Sequence, residues 1–183
     1  PSLELKVLDS PQQGTTYFTD ASSQTQRAVV VWKVEGQWQK QTWTEQGKSV
    51  QWLEAKAVQM TLQKDSDKHI NICMDSMYVY KLVLSMKRGG HCNSAIATML
   101  LDALQQRAGT SSIIHLRSHQ TGPGPLIEGN EKADQAAAGI WTVQDAKTLH
   151  EQLHLGAKAL AKECKIPISE ARRIVATCPY CQH

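Results

Sequence analysis

The stretch Thr15-Thr16-Tyr17-Phe18-Thr19-Asp20-Ala21-Ser22 places a carboxylate directly after a short β-prone run. Its threonine and aromatic residues predict a strand over Thr15–Thr19 that ends at Asp20. The apolar run Ala28-Val29-Val30-Val31-Trp32-Lys33-Val34 predicts a second strand. The turn residues Glu35-Gly36 connect it to a predicted hairpin partner over Gln37–Thr44. The chain is therefore expected to open with antiparallel strands.

A helix is predicted after this hairpin, with Ser49 as its N-cap. Glu54, Val58 and Leu62 follow at i, i+4 and i+8 spacing, which puts them on one face of the helix. A carboxylate in line with an apolar stripe is costly to bury unless another group compensates its charge. Glu54 is therefore a candidate functional residue.

Strands and helices alternate in the next part of the chain. His69–Met74 is a candidate buried strand with Asp75 at its carboxyl end, and a short helix is expected from Ser76 to Gly89-Gly90. The later predicted elements are a helix from near Asn93 or Ser94 to Gly109, a strand over Ser112–Leu116, a loop over Thr121–Gly129 and an alanine-rich helix from near Asn130. This order predicts an α/β fold with a mixed sheet flanked by helices. Ligands of such sheets bind beyond the carboxyl ends of the strands, where Asp20 and Asp75 are expected.

The composition is that of a globular protein, since 41% of the 183 residues are hydrophobic and 20% are charged. The length fits one ordinary domain and a small second one. No apolar run of about 18 residues predicts a membrane span, and no signal peptide opens the chain. Because the chain begins at Pro1 without a methionine, we expect a fragment of a longer polypeptide. The five cysteines include a Cys-x-x-Cys pair, which favours reduced thiols and a metal site over disulfides.

The net charge of +3 is small and unevenly distributed. Residues 1–140 carry 14 Lys or Arg against 13 Asp or Glu, and residues 141–183 carry 6 against 4. A protein that binds nucleic acid usually has a larger excess of positive charge. A carboxylate cluster that binds metal ions would hide part of such an excess, so the charge alone does not indicate nucleic acid.

Four carboxylates lie in four recognisable local patterns. These are Asp20 in Thr-Asp-Ala-Ser, Glu54 in Gln-Trp-Leu-Glu, Asp75 in Asp-Ser-Met-Tyr and Asp134 in Gly-Asn-Glu-Lys-Ala-Asp. Taken alone, Asp20 fits a turn, Asp75 fits a helix N-cap, and Asp134 fits an acid that suits the helix dipole. A fifth feature, His119, stands ahead of the Gly/Pro-rich stretch Thr121–Gly129.

In this order the five features resemble the retroviral branch of the ribonuclease H family, over about residues 14–140. The resemblance implies a ribonuclease H fold that cuts the RNA strand of an RNA–DNA hybrid. It implies that the four carboxylates hold two Mg²⁺ or Mn²⁺ ions, because hard oxygen ligands suit these ions and two ions suit in-line phosphodiester hydrolysis. His119 would assist proton transfer or product release and would be less essential than the acids.

The resemblance also suggests contacts with the hybrid. The candidate residues are Ser22, Ser49, Gln51, Ser76 and Tyr78. Met77 and Val50 stand where relatives carry polar residues, a departure that affects substrate contacts and leaves the carboxylates whole. The segment from Tyr78 to Asn93 is too short for the extra basic helix of many cellular relatives, so we expect this domain alone to bind hybrid weakly.

A second set of candidate ligands lies near the end of the chain. His150-x3-His154 is followed, after 23 residues, by Cys178-x2-Cys181. Histidines at i and i+4 share one helical face, and a Cys-x-x-Cys turn brings two thiolates together. Four nitrogen and sulfur ligands in a closed tetrahedral set predict one structural Zn²⁺ ion. Cys164 is expected to be a core thiol, and His183 to lie in a frayed terminus.

Two helices are predicted between these ligands, over Leu155–Cys164 and Ser169–Ala176. The segment resembles the amino-terminal zinc domain of retroviral integrases, and Cys178-Pro179-Tyr180-Cys181 suits the alpharetroviral and betaretroviral kind. It implies a small all-α domain of three helices, for which zinc would supply much of the folding energy.

The order of the two resemblances matches the end of a reverse transcriptase that runs into an integrase within a Pol polyprotein. We expect an incoming segment of the reverse transcriptase over residues 1–13, a ribonuclease H domain over 14–140 and a zinc domain over 141–183. The junction should fall between about Ala137 and Asp145. Expected partners are an RNA–DNA hybrid and the polymerase and integrase core of the same polyprotein, with oligomerisation through the zinc domain. The expected location is the virion and host cytoplasm, with nuclear entry as part of an integration complex.

Two alternatives remain at this point. The chain could be a catalytically silent module derived from a retroelement that binds nucleic acid or another protein, although the presence of all four acids and the histidine weighs against this. It could also be a transposase core of the DDE type, which shares the fold but lacks the acid that Glu54 supplies on the first long helix.

Overall fold

The computed structural model describes residues 3–90, 93–117, 122, 124–142, 145–147, 150, 151, 154, 156–164 and 167–178. The strands are β1 (Val7–Leu8), β2 (Thr15–Ser22), β3 (Arg27–Val34), β4 (Gln37–Thr44), β5 (Ile70–Met74) and β6 (Ser111–His115). The helices are α1 (Leu3–Lys6), α2 (Val50–Leu62), α3 (Met77–Lys87), α4 (Ala95–Gln106), α5 (Pro125–Ala137), α6 (Ala157–Cys164) and α7 (Ile168–Ala176). Within these residues, no helix combines the length and the apolar character needed to cross a membrane.

The six strands form one mixed sheet in the order β1-β6-β5-β2-β3-β4. Strands β2, β3 and β4 pair antiparallel, whereas β5 pairs parallel with β2 and β6, and β1 pairs parallel with β6. Glu35 and Gly36 connect β3 to β4 and have φ values of 49° and 81°. Positive φ at both central residues is the conformation that matches the twist of a two-residue hairpin.

The mixed sheet and the helices that alternate with its later strands confirm the predicted α/β fold class.

Helices cover both faces of the sheet. On one face α2, α3 and α4 bury a large apolar core around Leu53, Val58 and Leu100. On the other face α5 packs over Phe18, Val29 and other residues of β2, β3 and β5. Gly129 allows α5 to approach closely, because a Cβ atom at this position would lie 2.2 Å from Cε1 of Phe18.

Three boundaries differ from the sequence predictions. Strand β2 continues past Asp20 to Ser22, because the antiparallel pairing with β3 runs on to Arg27. Helix α5 begins at Pro125 and not near Asn130. The Gly/Pro content of this stretch had indicated a loop, but proline also suits the first turn of a helix. The residues before Gly14 contribute α1 and β1, which were too short to give a sequence pattern.

The last part of the chain forms a separate helical core. Residues 145–147, 150 and 151 are helical, and α6 and α7 follow, in agreement with the predicted all-α segment. Its buried residues are Ile140, Ala146, Leu160, Cys164, Ala171 and Ile174. Ile140, which precedes the first of these helical residues, therefore belongs to the second core.

Arg107 is a buried cation that shapes the end of α2. Its side chain is 2% exposed, and Nη1 donates to the carbonyl oxygens of Leu62 and Lys64 at 2.8 Å each. Nη2 donates to the carbonyl oxygen of Lys68, just before β5. Arginine suits this role because its fork of five donors satisfies several carbonyl groups at once. The turn that brings the chain from α2 into β5 therefore depends on Arg107.

We predict that Arg107→Met lowers the free energy of unfolding by about 3 kcal/mol, because it leaves several buried carbonyl groups without a donor. Urea unfolding followed by tryptophan fluorescence measures the effect. Arg88→Met is the matched control, since Arg88 is exposed and its replacement should change stability by less than about 0.5 kcal/mol. Equal effects of the two substitutions would contradict the structural role of Arg107.

Candidate active site and metal centre

Three of the four predicted carboxylates converge at one point. Oxygen atoms of Asp20, Glu54 and Asp75 all lie within 4.8 Å of one another. The parallel register of β2 and β5 places Thr19 opposite Met74, so the next residues, Asp20 and Asp75, are neighbours at the same level of the sheet. Helix α2 carries Glu54 to the same point from its second turn.

The cluster is largely removed from solvent. Asp20 is 5% exposed and Glu54 is 9% exposed, whereas Asp75 is half-buried. Oδ1 of Asp20 accepts a hydrogen bond from the backbone N–H of Ala21 at 2.8 Å. Oε2 of Glu54 is buried and has no hydrogen-bond partner among the described residues. An unpaired buried carboxylate oxygen is costly, so this atom is available for a ligand that the protein itself does not supply.

Burial and mutual repulsion raise the pKa of two of these acids. Desolvation and then the charge of Asp75 raise the pKa of Glu54 to about 8, and a hydrogen bond with Asp20 acts in the opposite direction. Desolvation, followed by the charges of Asp75 and Glu54, holds the pKa of Asp20 well above its usual range. A bound cation would remove this repulsion, because its charge is opposite to that of the acids.

This geometry fits a hard divalent cation. The cluster offers only carboxylate oxygens, which Mg²⁺ and Mn²⁺ prefer over soft ligands. The orphaned Oε2 of Glu54 is a ready ligand atom, and the excess negative charge needs compensation. The three residues can therefore hold a metal ion at the carboxyl end of β5, beside Asp20 of the neighbouring strand β2.

Asp134 lies near this cluster without being part of the closest group. It stands on α5, is half-buried, and its charge contributes to the raised pKa of Asp20. Its oxygen atoms are not among those within 4.8 Å of one another. His119, the fifth predicted residue, lies outside the described residues.

Three of the five predicted substrate residues are serines whose hydroxyl groups already accept hydrogen bonds within the protein. The hydroxyl groups of Ser49 and Ser76 are N-caps and accept from backbone N–H groups of α2 and α3 at 3.1 and 3.2 Å. Ser22 accepts from Thr25 N–H in the turn after β2. Gln51 and Tyr78 are exposed. Each serine still has its own hydroxyl proton, so capping does not prevent a contact with a ligand.

Val50 and Met77, the two departures from the family pattern, are also exposed, by 43% and 44%. They stand at the first position of α2 and of α3, directly after the two serine caps. Val50 lies one helical turn before Glu54, and Met77 lies two residues after Asp75. Both departures from the family pattern therefore place exposed apolar side chains close in the chain to two of the acids.

A second group of ligand atoms lies in the helical segment at the end of the chain. One ligand atom each from His150, His154 and Cys178 lies within 4.8 Å of the others. Nδ1 of His154 is 3.5 Å from Sγ of Cys178. His150 and Cys178 are buried, by contrast with the exposed His154. Two imidazoles and one thiol form a softer donor set than the carboxylates, which suits zinc.

The local conformation at this second group differs from the prediction in one respect. His150 is helical, but His154 is not, and its φ is 49°. The two histidines therefore do not share the face of one continuous helix. The backbone N–H of His154 still donates to the carbonyl oxygen of His150, which keeps the two side chains together. Cys181, the fourth predicted ligand, lies outside the described residues.

Two protein-family models match the chain. The RNase H model matches residues 12–140, and the integrase zinc binding domain model matches residues 146–183. The RNase H model covers more than half of the chain, and the chain belongs to the RNase H family. The predicted resemblance to retroviral Pol proteins is thereby confirmed.

The chain is similar to several retroviral polyproteins. It is 43% identical to the Gag-Pol polyprotein of Rous sarcoma virus subgroup C (strain Prague) over 181 residues, which cover 98% of this chain and 11% of that protein. It is 44% identical over 79 residues to a retrovirus-related Pol polyprotein of Gallus gallus, covering 43% of this chain and 32% of that protein. It is 31% identical to the Gag-Pro-Pol polyprotein of Mason-Pfizer monkey virus over 146 residues, 73% of this chain and 8% of that protein. The chain thus spans about a tenth of the length of the viral relatives it matches.

We predict that the free energy of unfolding of residues 12–140 without magnesium falls as the pH rises from 4.5 towards about 8. The lower limit is the ordinary pKa of Glu54, and the upper limit is its raised pKa in the folded chain. The folded chain holds this proton more tightly than the unfolded chain, so the proton stabilises the folded state below the raised pKa and is lost above it. Glu54→Gln should flatten this dependence and raise the free energy of unfolding near pH 8 by on the order of 2 kcal/mol. Thermal unfolding at several pH values measures it, with exposed Glu35→Gln as the control. An equally steep dependence in Glu54→Gln would contradict the assignment.

Proposed function

We propose that the chain is a metal-dependent endoribonuclease that hydrolyses the RNA strand of RNA–DNA hybrids during reverse transcription. The convergence of Asp20, Glu54 and Asp75 within 4.8 Å is the observation that supports it most directly. Membership of the RNase H family gives the reaction class, and the retroviral relatives give the context.

Divalent ions bound at this site would activate a water molecule and stabilise the charge that develops on the phosphate. In our proposal the residues that hold two Mg²⁺ or Mn²⁺ ions are Asp20, Glu54, Asp75 and Asp134. Asp20 and Glu54 are fixed by a strand and a helix, so the ligand oxygens are held in place before a substrate arrives. Asp134 is positioned by α5, the helix that packs on β2 through Gly129.

We further propose that His119 assists proton transfer or product release. Ser22, Ser49, Gln51, Ser76 and Tyr78 are the proposed contacts with the hybrid. Ser49 and Ser76 begin the two helices next to the acids, so a phosphate there would also meet the positive end of a helix dipole.

The second metal group is proposed to be a structural zinc site formed by His150, His154, Cys178 and Cys181. Its role would be to hold the helical domain together, because this small core has few large apolar residues. We place the domain boundaries at residues 14–140 and 141–183. The proposed partners are an RNA–DNA hybrid and the polymerase and integrase core of one polyprotein, with further self-association through the zinc domain. The proposed location is the virion and host cytoplasm, with nuclear entry.

The alternative is a catalytically silent module that binds nucleic acid or protein. A silent module has no need to keep several acids in an unfavourable cluster, and Glu54 retains a buried oxygen without a partner. We therefore favour the enzyme, and cleavage of a labelled hybrid by the pure chain decides between them.

We predict that the chain cuts the RNA strand of a hybrid in magnesium, and that Asp75→Asn lowers the rate by at least about a hundredfold while the fold persists. The substitution keeps the shape of the side chain and removes a charged ligand. The measurement is single-turnover cleavage of an end-labelled RNA–DNA hybrid, with duplex DNA and double-stranded RNA as substrates that should stay largely intact.

Asp102→Asn is the matched control, because Asp102 is an exposed acid on α4. It should cleave at the rate of the unaltered chain. Full activity of a folded Asp75→Asn variant would exclude the proposed site. Equal cutting of duplex DNA would point to a transposase-like activity instead.

We predict that a zinc-selective chelator unfolds the helical segment from about residue 145 onward and leaves hybrid cleavage in excess magnesium nearly unchanged. The two sites use ligands of different hardness, so the chelator should discriminate between them. Circular dichroism, zinc content and cleavage are measured on the same sample. Cys178→Ser should lose zinc, whereas Cys164→Ala should retain it, since Cys164 lies in the core outside the ligand group. Collapse of cleavage along with the helices would show that both domains unfold as one unit.

A further inference from the structure

Three lysines lie over three tryptophan rings along helix α2 and the open edge of the sheet. The ammonium nitrogen is 4.7 Å from the ring centroid for Lys48 over Trp52, 4.0 Å for Lys56 over Trp43, and 4.4 Å for Lys64 over Trp32. We call these six side chains the lysine–tryptophan row. Trp52 and Lys56 each stand two residues from Glu54, about 200° around the helix, so the row lies on the side of α2 away from the acids.

One end of the row lies level with the carboxylate cluster, two strands across the sheet from it, and the other end lies further away. Trp43 pairs in register with Ala28, which in turn pairs with Ala21, the residue after Asp20. At the other end Trp32 pairs with Tyr17 in the first half of β2. Helix α2 has 13 residues and is therefore about 20 Å long, which gives the extent of the row.

The surface is accessible because β4 is an edge strand of the described sheet. Seven of its eight residues are exposed, and Trp43 is 41% exposed. Gln39, Gln41 and Trp43 are every second residue of the strand and therefore point to the same face. The two glutamines add amide donors and acceptors there. The row thus combines aromatic rings, cations and neutral polar groups, without a continuous apolar patch of the kind that a protein partner buries.

The charge of the row is predominantly positive. Glu45 is paired with Lys48 at 3.3 Å and also accepts from Nε1 of Trp43. Over the part of the chain that the structure describes, Lys56 and Lys64 form no ion pair, and Nζ of Lys56 donates to the neutral amide of Gln59. The charge of Asp65 also acts on Lys64 and offsets part of it. Two of the three ammonium groups are therefore without an ion pair among the described residues, and Lys56 has the least compensated charge.

We propose that the lysine–tryptophan row binds single-stranded nucleic acid, with bases stacked on the indole rings and phosphates held by the lysines. A row of cations interleaved with aromatic rings is the chemistry that recognises a single strand without sequence preference. An exposed cation–π contact is weaker than the stacking of a base on tryptophan, so a base can displace the ammonium group from the ring. The flexible lysine stem then carries the ammonium group to the adjoining phosphate.

The inference rests on the proposed function only in taking nucleic acid as the partner. A strand that passes the carboxylate cluster would continue into the row, since Trp43 lies level with Ala21 at a distance of two strands, about 10 Å. The row would then add affinity to a domain whose carboxylate site alone repels phosphates. Binding to the row needs neither metal nor cleavage, so the two proposals can fail separately.

The test is fluorescence anisotropy of a labelled oligodeoxythymidylate of about ten nucleotides, titrated with the full chain at several salt concentrations. The variant with Lys48→Gln, Lys56→Gln and Lys64→Gln should bind at least about tenfold more weakly near 0.1 M salt. The slope of log affinity against log salt should fall by about 1.4, because each phosphate contact on a single strand contributes about 0.7 and two of the three row lysines form no ion pair among the described residues. Trp43→Leu should weaken binding about tenfold through lost stacking.

Two controls keep the experiment decisive. Lys40→Gln is the matched single control, because Lys40 lies over Trp141 at 4.9 Å and outside the row; it should bind as the unaltered chain does. Replacement of the three row lysines by arginine keeps the charge and should restore binding, which separates loss of charge from misfolding. Circular dichroism of each variant accompanies the titration.

Each outcome bears on the proposal. Unchanged affinity in the triple glutamine variant, or the same loss in Lys40→Gln, overturns it. If Trp43→Leu dissociates a dimer in sedimentation and leaves oligonucleotide affinity unchanged, the row is an interface between copies and the proposal is wrong. If the chain cuts no hybrid but shows salt-dependent binding that requires the row, the proposed binding by the row is supported and the proposed enzyme is refuted. Hybrid cleavage by a chain whose row binds no oligonucleotide supports the proposed enzyme and refutes the proposed binding by the row.

Discussion

Electrostatic repulsion among three clustered acids, two of them buried, is the constraint on which the sheet and its flanking helices depend. Asp20, Glu54 and Asp75 would separate or become protonated if their backbones were free to move. They stay together because each is carried by an element that the core fixes: a central strand, a helix packed on that strand, and the end of the neighbouring parallel strand. The domain thus uses its packing energy to hold a cluster that is unfavourable without a cation, which is the pre-organisation that a metal site needs.

Hydrophobic packing on both faces of the sheet holds the elements that carry the repelling acids. The face under α2, α3 and α4 contains the larger apolar cluster, and it fixes the helix that carries Glu54. The opposite face brings in α5, whose close approach requires a glycine against the ring of Phe18. Arg107 closes the turn between α2 and β5, so it fixes the connection between the helix of Glu54 and the strand that leads to Asp75. A substitution in any of these places would alter the carboxylate geometry without touching a carboxylate.

Much of this arrangement could be predicted from the sequence because its signals are local. The alternating and apolar runs predicted β3, β4 and β5, and Ser49 was predicted as the N-cap of α2. The starts of α3 and α4 were also expected close to where they lie, but Ser76 caps α3 and not Asp75, which the sequence had offered for that role. The acids were found because a carboxylate such as Glu54 in an apolar stripe violates the local pattern, and such violations mark functional sites. The start of α5 was missed because Pro125 and its glycine neighbours have the composition of a loop, although proline also suits a first helical turn.

Other features could not be predicted because they depend on tertiary contacts. Strand β1 has two residues and exists only through its pairing with β6, and the extension of β2 to Ser22 follows from β3. The lysine–tryptophan row is scattered over β3, β4, α2 and their connections, so no spacing in the sequence reveals it. The exact separation of Asp134 from the other acids is set by the packing of α5, which a sequence motif does not specify.

Ile140 and Trp141 are adjacent residues that pack into two different hydrophobic cores. Trp141 lies between Lys40 and Lys132, with ring distances of 4.9 and 5.4 Å, and packs against the core under α5. Its neighbour Ile140 instead enters the helical core, and Asp145 accepts from the backbone N–H groups of Trp141 and Thr142 as in a capping box. Two adjacent side chains therefore anchor two different cores, so motion at this junction would disturb packing on both sides. The two candidate ligand groups differ in chemistry, since carboxylate oxygens form one and nitrogen and sulfur atoms form the other. Among the described residues between them, Trp141 and Thr142 are held to Asp145 by hydrogen bonds.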